Sequence, residues 1–173
     1  MSTKNIYHAK LLSILLFSGF FFHPCVVTAQ KMEKTYSSKS GQFKVDFQKK
    51  PKKSVDTITG NVLYEQFLYK NSFGIEYMVD WRDLVEEDND SITFKVEKMK
   101  MEYSFLATFI NEKQTEINGH TAIEFEAKAG TDTFHCLLIL TKSRYYRIIV
   151  NCPLDKCDAD EAKQFIKSFQ LTN

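Results

Sequence analysis

Lys113–Cys152 reads KQTEINGHTAIEFEAKAGTDTFHCLLILTKSRYYRIIVNC. Asn118-Gly119 near its start supplies the two positive-φ residues that a type I′ hairpin turn requires, so Lys113–Ile117 and His120–Ala129 are predicted to pair. Gly130-Thr131-Asp132 turns the chain again into Thr133–Leu140. A last reversal over Thr141–Arg144 leads into Tyr145–Cys152. Centring that reversal on Ser143 sets Phe134, Cys136, Leu138 and Leu140 against Cys152, Val150, Ile148 and Tyr146. The last two strands carry few polar side chains, which is the pattern of strands covered on both faces. A four-strand antiparallel meander with its centre here is therefore the expected frame of the fold.

Upstream, Gly41–Phe47 (GQFKVDF) alternates strictly, with Phe43, Val45 and Phe47 on one face, as a half-buried strand does. The basic run Lys49–Lys53 reads as a solvated turn. Asn61–Tyr69 and Phe73–Trp81 form a second hairpin across Lys70-Asn71-Ser72. Asp83–Asp90 is an acidic linker; it lacks the register and distal Glu of a calcium loop, and Asp90 reads instead as a helix cap. From Ser91 to Ile110 the apolar residues Ile92, Val96, Met99, Tyr103, Leu106 and Ile110 step by four and three, which predicts a long amphipathic helix. Asp158, with Glu161 three residues on, has the form of a capping box opening a C-terminal helix whose apolar face is Ala162, Phe165, Ile166 and Phe169. The expected class is α+β: a curved antiparallel sheet flanked by the long helix and the C-terminal helix.

The N-terminus has the form of a signal peptide over 1–29: Lys4 and Lys10, an uncharged apolar run Leu11–Phe22, and Val27-Thr28-Ala29 before the cleavage point. That run is too short to cross a bilayer. An uncleaved anchor and a lipoprotein modified on Cys25 are the rivals, the second opposed by His23-Pro24 where small residues are wanted. The expectation is a secreted or periplasmic protein with a single domain over 30–173 and no transmembrane segment in the mature chain. With 23 basic and 22 acidic residues the charge is close to neutral, which removes the electrostatic basis for nucleic-acid binding.

Four stretches together resemble the PsbP/Mog-type α/β/α sandwich family: Gly41–Phe47, the Ile117–Ala122 hairpin (INGHTA), Tyr145–Val150 (YYRIIV) and Ala162–Phe169 (AKQFIKSF). The likeness runs from about Thr35 to Leu171. It implies a curved sheet between helices and a non-enzymatic role, since the family includes photosystem extrinsic proteins, a Ran-binding nuclear factor and small bacterial envelope proteins. It carries over no catalytic residue set, and the Cys152–Cys157 loop is not part of its pattern.

Little in the residues argues for chemistry. Of the two histidines beyond the leader, His120 sits beside the Asn-Gly turn and His135 lies within a strand, where packing or a sheet-face hydrogen bond is the expected role. Neither has a nucleophile elbow to serve. His135 and its neighbour Cys136 point to opposite sheet faces and cannot share a zinc ion, so no metal or other cofactor is expected. Cys152-Pro-Leu-Asp-Lys-Cys157 is the candidate disulfide, leaving Cys136 as a buried apolar residue. A reactive redox pair is the rival reading, and it lacks C-x-x-C spacing. Trp81 with Arg82, and Arg144 with Tyr145 and Tyr146, form the candidate binding surface, because Trp, Tyr and Arg dominate protein-binding hot spots. The leading function is a non-catalytic accessory module docking a protein partner of the cell envelope. Two alternatives stand beside it. One is a carrier of a lipid or small apolar ligand, suggested by 15 Phe and 8 Tyr in a small domain. The other is a hydrolase drawing carboxylates from separate strands.

Overall fold

The computed structural model describes residues 34–58, 62–84, 94, 95, 98, 106–153 and 155–172. The predicted leader, most of the acidic linker and most of the predicted long helix lie outside them. The strands are β1 (Lys34–Ser38), β2 (Phe43–Phe47), β3 (Lys52–Ile58), β4 (Val62–Lys70), β5 (Glu76–Asp83), β6 (Thr108–Ile117), β7 (His120–Ala129), β8 (Asp132–Leu140), β9 (Arg144–Pro153) and β10 (Gln170–Leu171). One helix, α1 (Ala159–Ser168), separates β9 from β10. Two antiparallel sheets result: a small one ordered β1-β2-β10 and a large one ordered β3-β4-β5-β9-β8-β7-β6.

Cross-strand register lines the inner face of the large sheet with rows of side chains. One row runs Glu65, Trp81, Tyr146, Ile139, Ala122, and the next Phe67, Val79, Ile148, Leu137. These residues join Phe43, Val45 and Phe47 of β2 and Ala162, Phe165, Ile166 and Phe169 of the helix region in one buried cluster. The strict alternation of β2 thus turns its three apolar side chains onto the large sheet. The opposite face carries a second cluster around Phe125, Phe134, Cys136, Leu138, Tyr145 and Ile149, to which Phe94 also belongs. Both faces of β8 and β9 are buried, and β9 is the middle strand of seven.

Several expectations are corrected. The α/β/α sandwich with a long flanking helix gives way to a mostly β architecture of two sheets, in which α1 is short and the other helical positions among the described residues are Phe94, Lys95 and Lys98. The predicted helix cannot extend to Ile110, because Thr108–Ile110 open β6 and Leu106 before them has a φ of 52°. Thr108, Phe109 and Ile110 satisfy a helical period but also favour a pleated surface, and pairing with β7 decides between the two: Phe109 sits opposite Ala127 and packs edge-on against Phe125.

The β8–β9 register is shifted by one residue. The turn closes on Thr141 and Arg144, with Arg144 N–H donating to Thr141 Oγ1 at 3.0 Å, so Leu140 faces Tyr145 and Phe134 faces Asn151. Side chains repeat every two residues, so this single step moves Cys136 and Leu138 to the face opposite Tyr146 and Ile148. The basic run is likewise shorter than its sequence suggests: Lys52 and Lys53 begin β3.

Asp158 caps α1 as expected, accepting from the backbone of Asp160 and Glu161. Glu161 does not close the capping box; its carboxylate instead accepts from Tyr77 Oη and Gln48 Nε2, tying the helix to both sheets.

The turn between β1 and β2 meets the large sheet closely at Gly41. A Cβ there would lie 2.6 Å from both Trp81 Nε1 and Phe43 Cε1, and the Gly41 carbonyl accepts from Tyr146 Oη at 2.9 Å. Gly41→Ala is expected to cost about 1–3 kcal/mol through forced displacement of the indole; a urea midpoint unchanged from that of the wild type would refute the tight approach.

Candidate functional site

The five residues expected to form a binding surface do come together. β5 and β9 set Trp81 opposite Tyr146, Arg82 opposite Tyr145 and Asp83 opposite Arg144. Their side chains, however, are spent on packing. Trp81 is 1% exposed and both tyrosines are 2% exposed. Tyr146 and Trp81 lie in the inner cluster and Tyr145 in the outer one. The guanidinium of Arg144 covers the Trp81 ring at 4.6 Å while its Nε donates to Asp83 at 3.2 Å, and Arg82 covers Tyr145 at 5.3 Å. The guanidinium groups of Arg82 and Arg144 thus lie over the aromatic rings, and that of Arg144 is itself largely covered, with Nη1 buried.

Beside Trp81 lies a carboxylate that sequence reasoning passed over. Glu65 on β4 is 4% exposed. It accepts from Trp81 Nε1 at 3.0 Å, Ser40 Oγ at 2.7 Å and Lys53 Nζ at 2.8 Å. Burial works to raise its pKa, but the bonds from Lys53, Ser40 and Trp81 outweigh it, and the group titrates below its ordinary value near 4.5.

Two further places have the concavity and chemistry of a site. The first is on the inner face, where the helix leaves β6 and β7 uncovered. His135 on β8 stands directly opposite Glu126 on β7, with Nδ1 3.4 Å from Glu126 Oε1. Its other nitrogen, Nε2, lies 3.3 Å from Cys157 Sγ. Cys157 is disulfide-bonded to Cys152, the pairing considered from sequence, and Cys136 is a buried free thiol on the other face. Asn111 sits at a register shift between Ile110 and Lys113, with a φ of 54°, and donates to the second Glu126 oxygen at 3.0 Å. His135 borders a cleft of about 270 Å³ that is also lined by Lys113, Glu124, Glu126 and Lys163. Burial lowers the His135 pKa despite the opposing pull of Glu126, which favours the neutral ring. The expectation that His135 only packs is thus incomplete: Cys136 faces away from it, as the alternation requires, but Cys152 and Cys157 converge on it. The signal was Cys152, whose strand period puts it on the inner face once the register is right. His120, by contrast, stays beside the Asn-Gly turn, next to a cavity of about 180 Å³ that also touches Arg144 and Tyr146.

The second place is a groove of about 320 Å³ on the outer face, across β4, β5, β9 and β8. Leu68, Met78 and Ile149 form a cross-strand apolar row along it, with Gln66 and Arg147 on one flank and Glu76, Asn151 and Phe134 on the other. Arg147 is fixed by a two-pronged bond to Asp80, at 2.8 and 3.0 Å, and donates to Tyr64 Oη at 3.2 Å. Asp80 is 2% exposed, so the pair is locked in place. Asn151 Oδ1 is buried without a hydrogen-bond partner.

No family model matches the chain, and no curated protein matches it by sequence. Among solved structures, the chain is similar to the solution structure of cyanobacterial PsbP (CyanoP) from Synechocystis sp. PCC 6803. The TM-score is 0.57 and the identity 10%, over 80% of this chain and 91% of the other. The fold is PsbP-like. At that identity the likeness concerns the path of the backbone alone. Among the described residues no helix is long and apolar enough to cross a membrane.

The depressed pKa of Glu65 gives a pH dependence with a definite sign. The unfolded carboxyl binds its proton more readily than the folded one, so the stabilisation is complete above pH 4.5 and is lost as pH falls through the lower folded value. Urea midpoints measured from neutral pH downward should fall in that acid range for the wild type and fall less steeply for Glu65→Gln. Identical acid limbs would show that Glu65 is not bonded as described.

Proposed function

We propose that the chain is an exported, non-catalytic accessory module that docks an extended segment of a protein partner in the outer-face groove. The observation that carries this reading is the composition of the groove. A cross-strand apolar row centred on Met78 runs between two polar flanks, one where Arg147 is held rigid and the other where Glu76 and Asn151 lie. An extended peptide matches this arrangement, because its side chains pack on the apolar row while its backbone groups meet the polar flanks. Methionine suits such a surface because its flexible thioether adapts to the incoming side chain. A cavity of this volume lies at the lower limit for enclosing a small-molecule ligand.

Two further supports are indirect. The PsbP-like backbone is consistent with the accessory role that the family resemblance implies. The leader-like segment 1–29 directs the reading toward the secreted or periplasmic space.

Photo-crosslinking with the mature chain as bait in envelope extract, followed by mass spectrometry, tests the proposal. A specific protein should be captured by the wild type and by Val55→Glu, whose site is an exposed position on the edge strand β3. The same protein should be lost at least about tenfold with Met78→Glu, the loss expected from a hot-spot residue. Equal capture by Met78→Glu, or recovery of a bound acyl lipid in place of any protein, would overturn the reading.

A further inference from the structure

The second concave place supports an inference independent of partner docking. His135 Nε2, Cys152 Sγ and Cys157 Sγ all lie within 4.8 Å of one another. They come from three separate elements: the middle of β8, the end of β9 and the loop that enters α1. The register explains the meeting. Cys152 pairs with Thr133, two residues from His135 on the same face, and the turn after Pro153 brings Cys157 back over them. His135 and Cys152 are buried, and Cys157 is partly exposed.

Behind these three atoms lies a second layer. Glu126 faces the other imidazole nitrogen at 3.4 Å and is itself held by Asn111 at 3.0 Å. A carboxylate behind a histidine fixes the tautomer, placing the proton on Nδ1 and the lone pair on Nε2, toward the sulfurs. This is the arrangement that supports metal-bound histidines. With the disulfide opened, the two thiols beside this imidazole make a Cys2His ligand set.

We propose that, with its disulfide reduced, this cluster is a redox-gated site for a thiophilic cation of the zinc(II) or copper(I) type. Cys152, Cys157 and His135 are its ligands, and Glu126 and Asn111 are positioning residues. The gating step balances with a dithiol donor. The Cys152–Cys157 bond breaks as the donor closes its own disulfide; two electrons and the donor's two thiol protons pass to the protein sulfurs. Metal binding then displaces those protons to solvent. Freed of their bond, the sulfurs can separate to roughly 3.8 Å, the spacing of two thiolates sharing one ion at ~2.3 Å each. Soft sulfur donors with one imidazole select this class of ion over calcium or magnesium. Three protein ligands leave a fourth position for water or a donor from outside. Cys136, on the opposite face, takes no part.

Titration of the full mature chain with cadmium(II), after phosphine reduction and removal of the reductant, tests the site. The thiolate-to-metal charge-transfer band should rise to one equivalent with the reduced wild type and be absent with the oxidised protein. His135→Ala should weaken binding by at least about tenfold, Glu126→Gln by a comparable factor, and Cys136→Ser not at all. Far-ultraviolet circular dichroism of each variant separates lost binding from lost fold. The proposal is overturned by reduced wild type that binds no stoichiometric cadmium or loses its fold, by oxidised protein that binds equally, or by folded His135→Ala with wild-type affinity.

Discussion

A single carboxylate, Glu65, sits where the two sheets and the edge strand β3 converge, and the arrangement of the inner layer depends on its being fully bonded. A charge taken out of water is tolerated only if partners replace its hydration. Here the partners are the Trp81 indole, the Ser40 hydroxyl and the Lys53 ammonium. Each comes from a different part of the chain, so the bonds also fix position. Ser40 anchors the β1–β2 turn, Lys53 holds the edge strand, and Trp81 presents its ring to Arg144 on one side and to Gly41 on the other. Hydrophobic burial supplies the main driving force for this layer, while the polar bonds at Glu65 define how the small sheet lies upon the large one.

The same inner face determines where function can reside. β2 and α1 cover its middle, but β6 and β7 extend past the helix, so Glu124 and Glu126, which share the face with Ala122, open onto the cleft beside Lys163. His135 is at the margin, close enough to the helix to be buried and close enough to the cleft to meet Glu126. The outer face is governed by the locked Asp80–Arg147 pair, around which the apolar residues of the groove are disposed. One sheet therefore presents two unlike environments, a cleft where His135 meets Glu126 and Cys157 on one face and an apolar groove beside a locked ion pair on the other.

Much of this architecture is legible in the residues. Strand alternation in Gly41–Phe47, the Asn118-Gly119 turn and the Asp158 cap are local signals, and local hydrogen bonding enforces each of them. Other features depend on partners distant in sequence. Thr108–Ile110 fit a helical period and a strand equally well, and only pairing with β7 selects the strand. The Thr141–Arg144 turn is ambiguous by one residue, and that step decides which side chains share a face. With Cys152 opposite Phe134 its side chain faces away from His135; opposite Thr133 it shares the His135 face. Trp81, Tyr145 and Tyr146 were legible as a group but not as a surface, because their composition is the same whether a partner or the opposing layer covers them. Glu65 carried no signal at all, since a glutamate in a strand of Tyr and Phe reads as solvent-facing until Trp81 is placed against it.

Trp81 is the sole tryptophan, so its indole N–H gives one unambiguous resonance in the protein NMR spectrum. Hydrogen–deuterium exchange of that proton at neutral pH is the most direct test of a dry, bonded junction between the sheets. If the indole donates to a buried Glu65, exchange should be slow and limited by global unfolding, as for core amides. Exchange at the rate of a solvent-exposed indole, with the fold intact, would contradict the junction and the sheet packing built upon it.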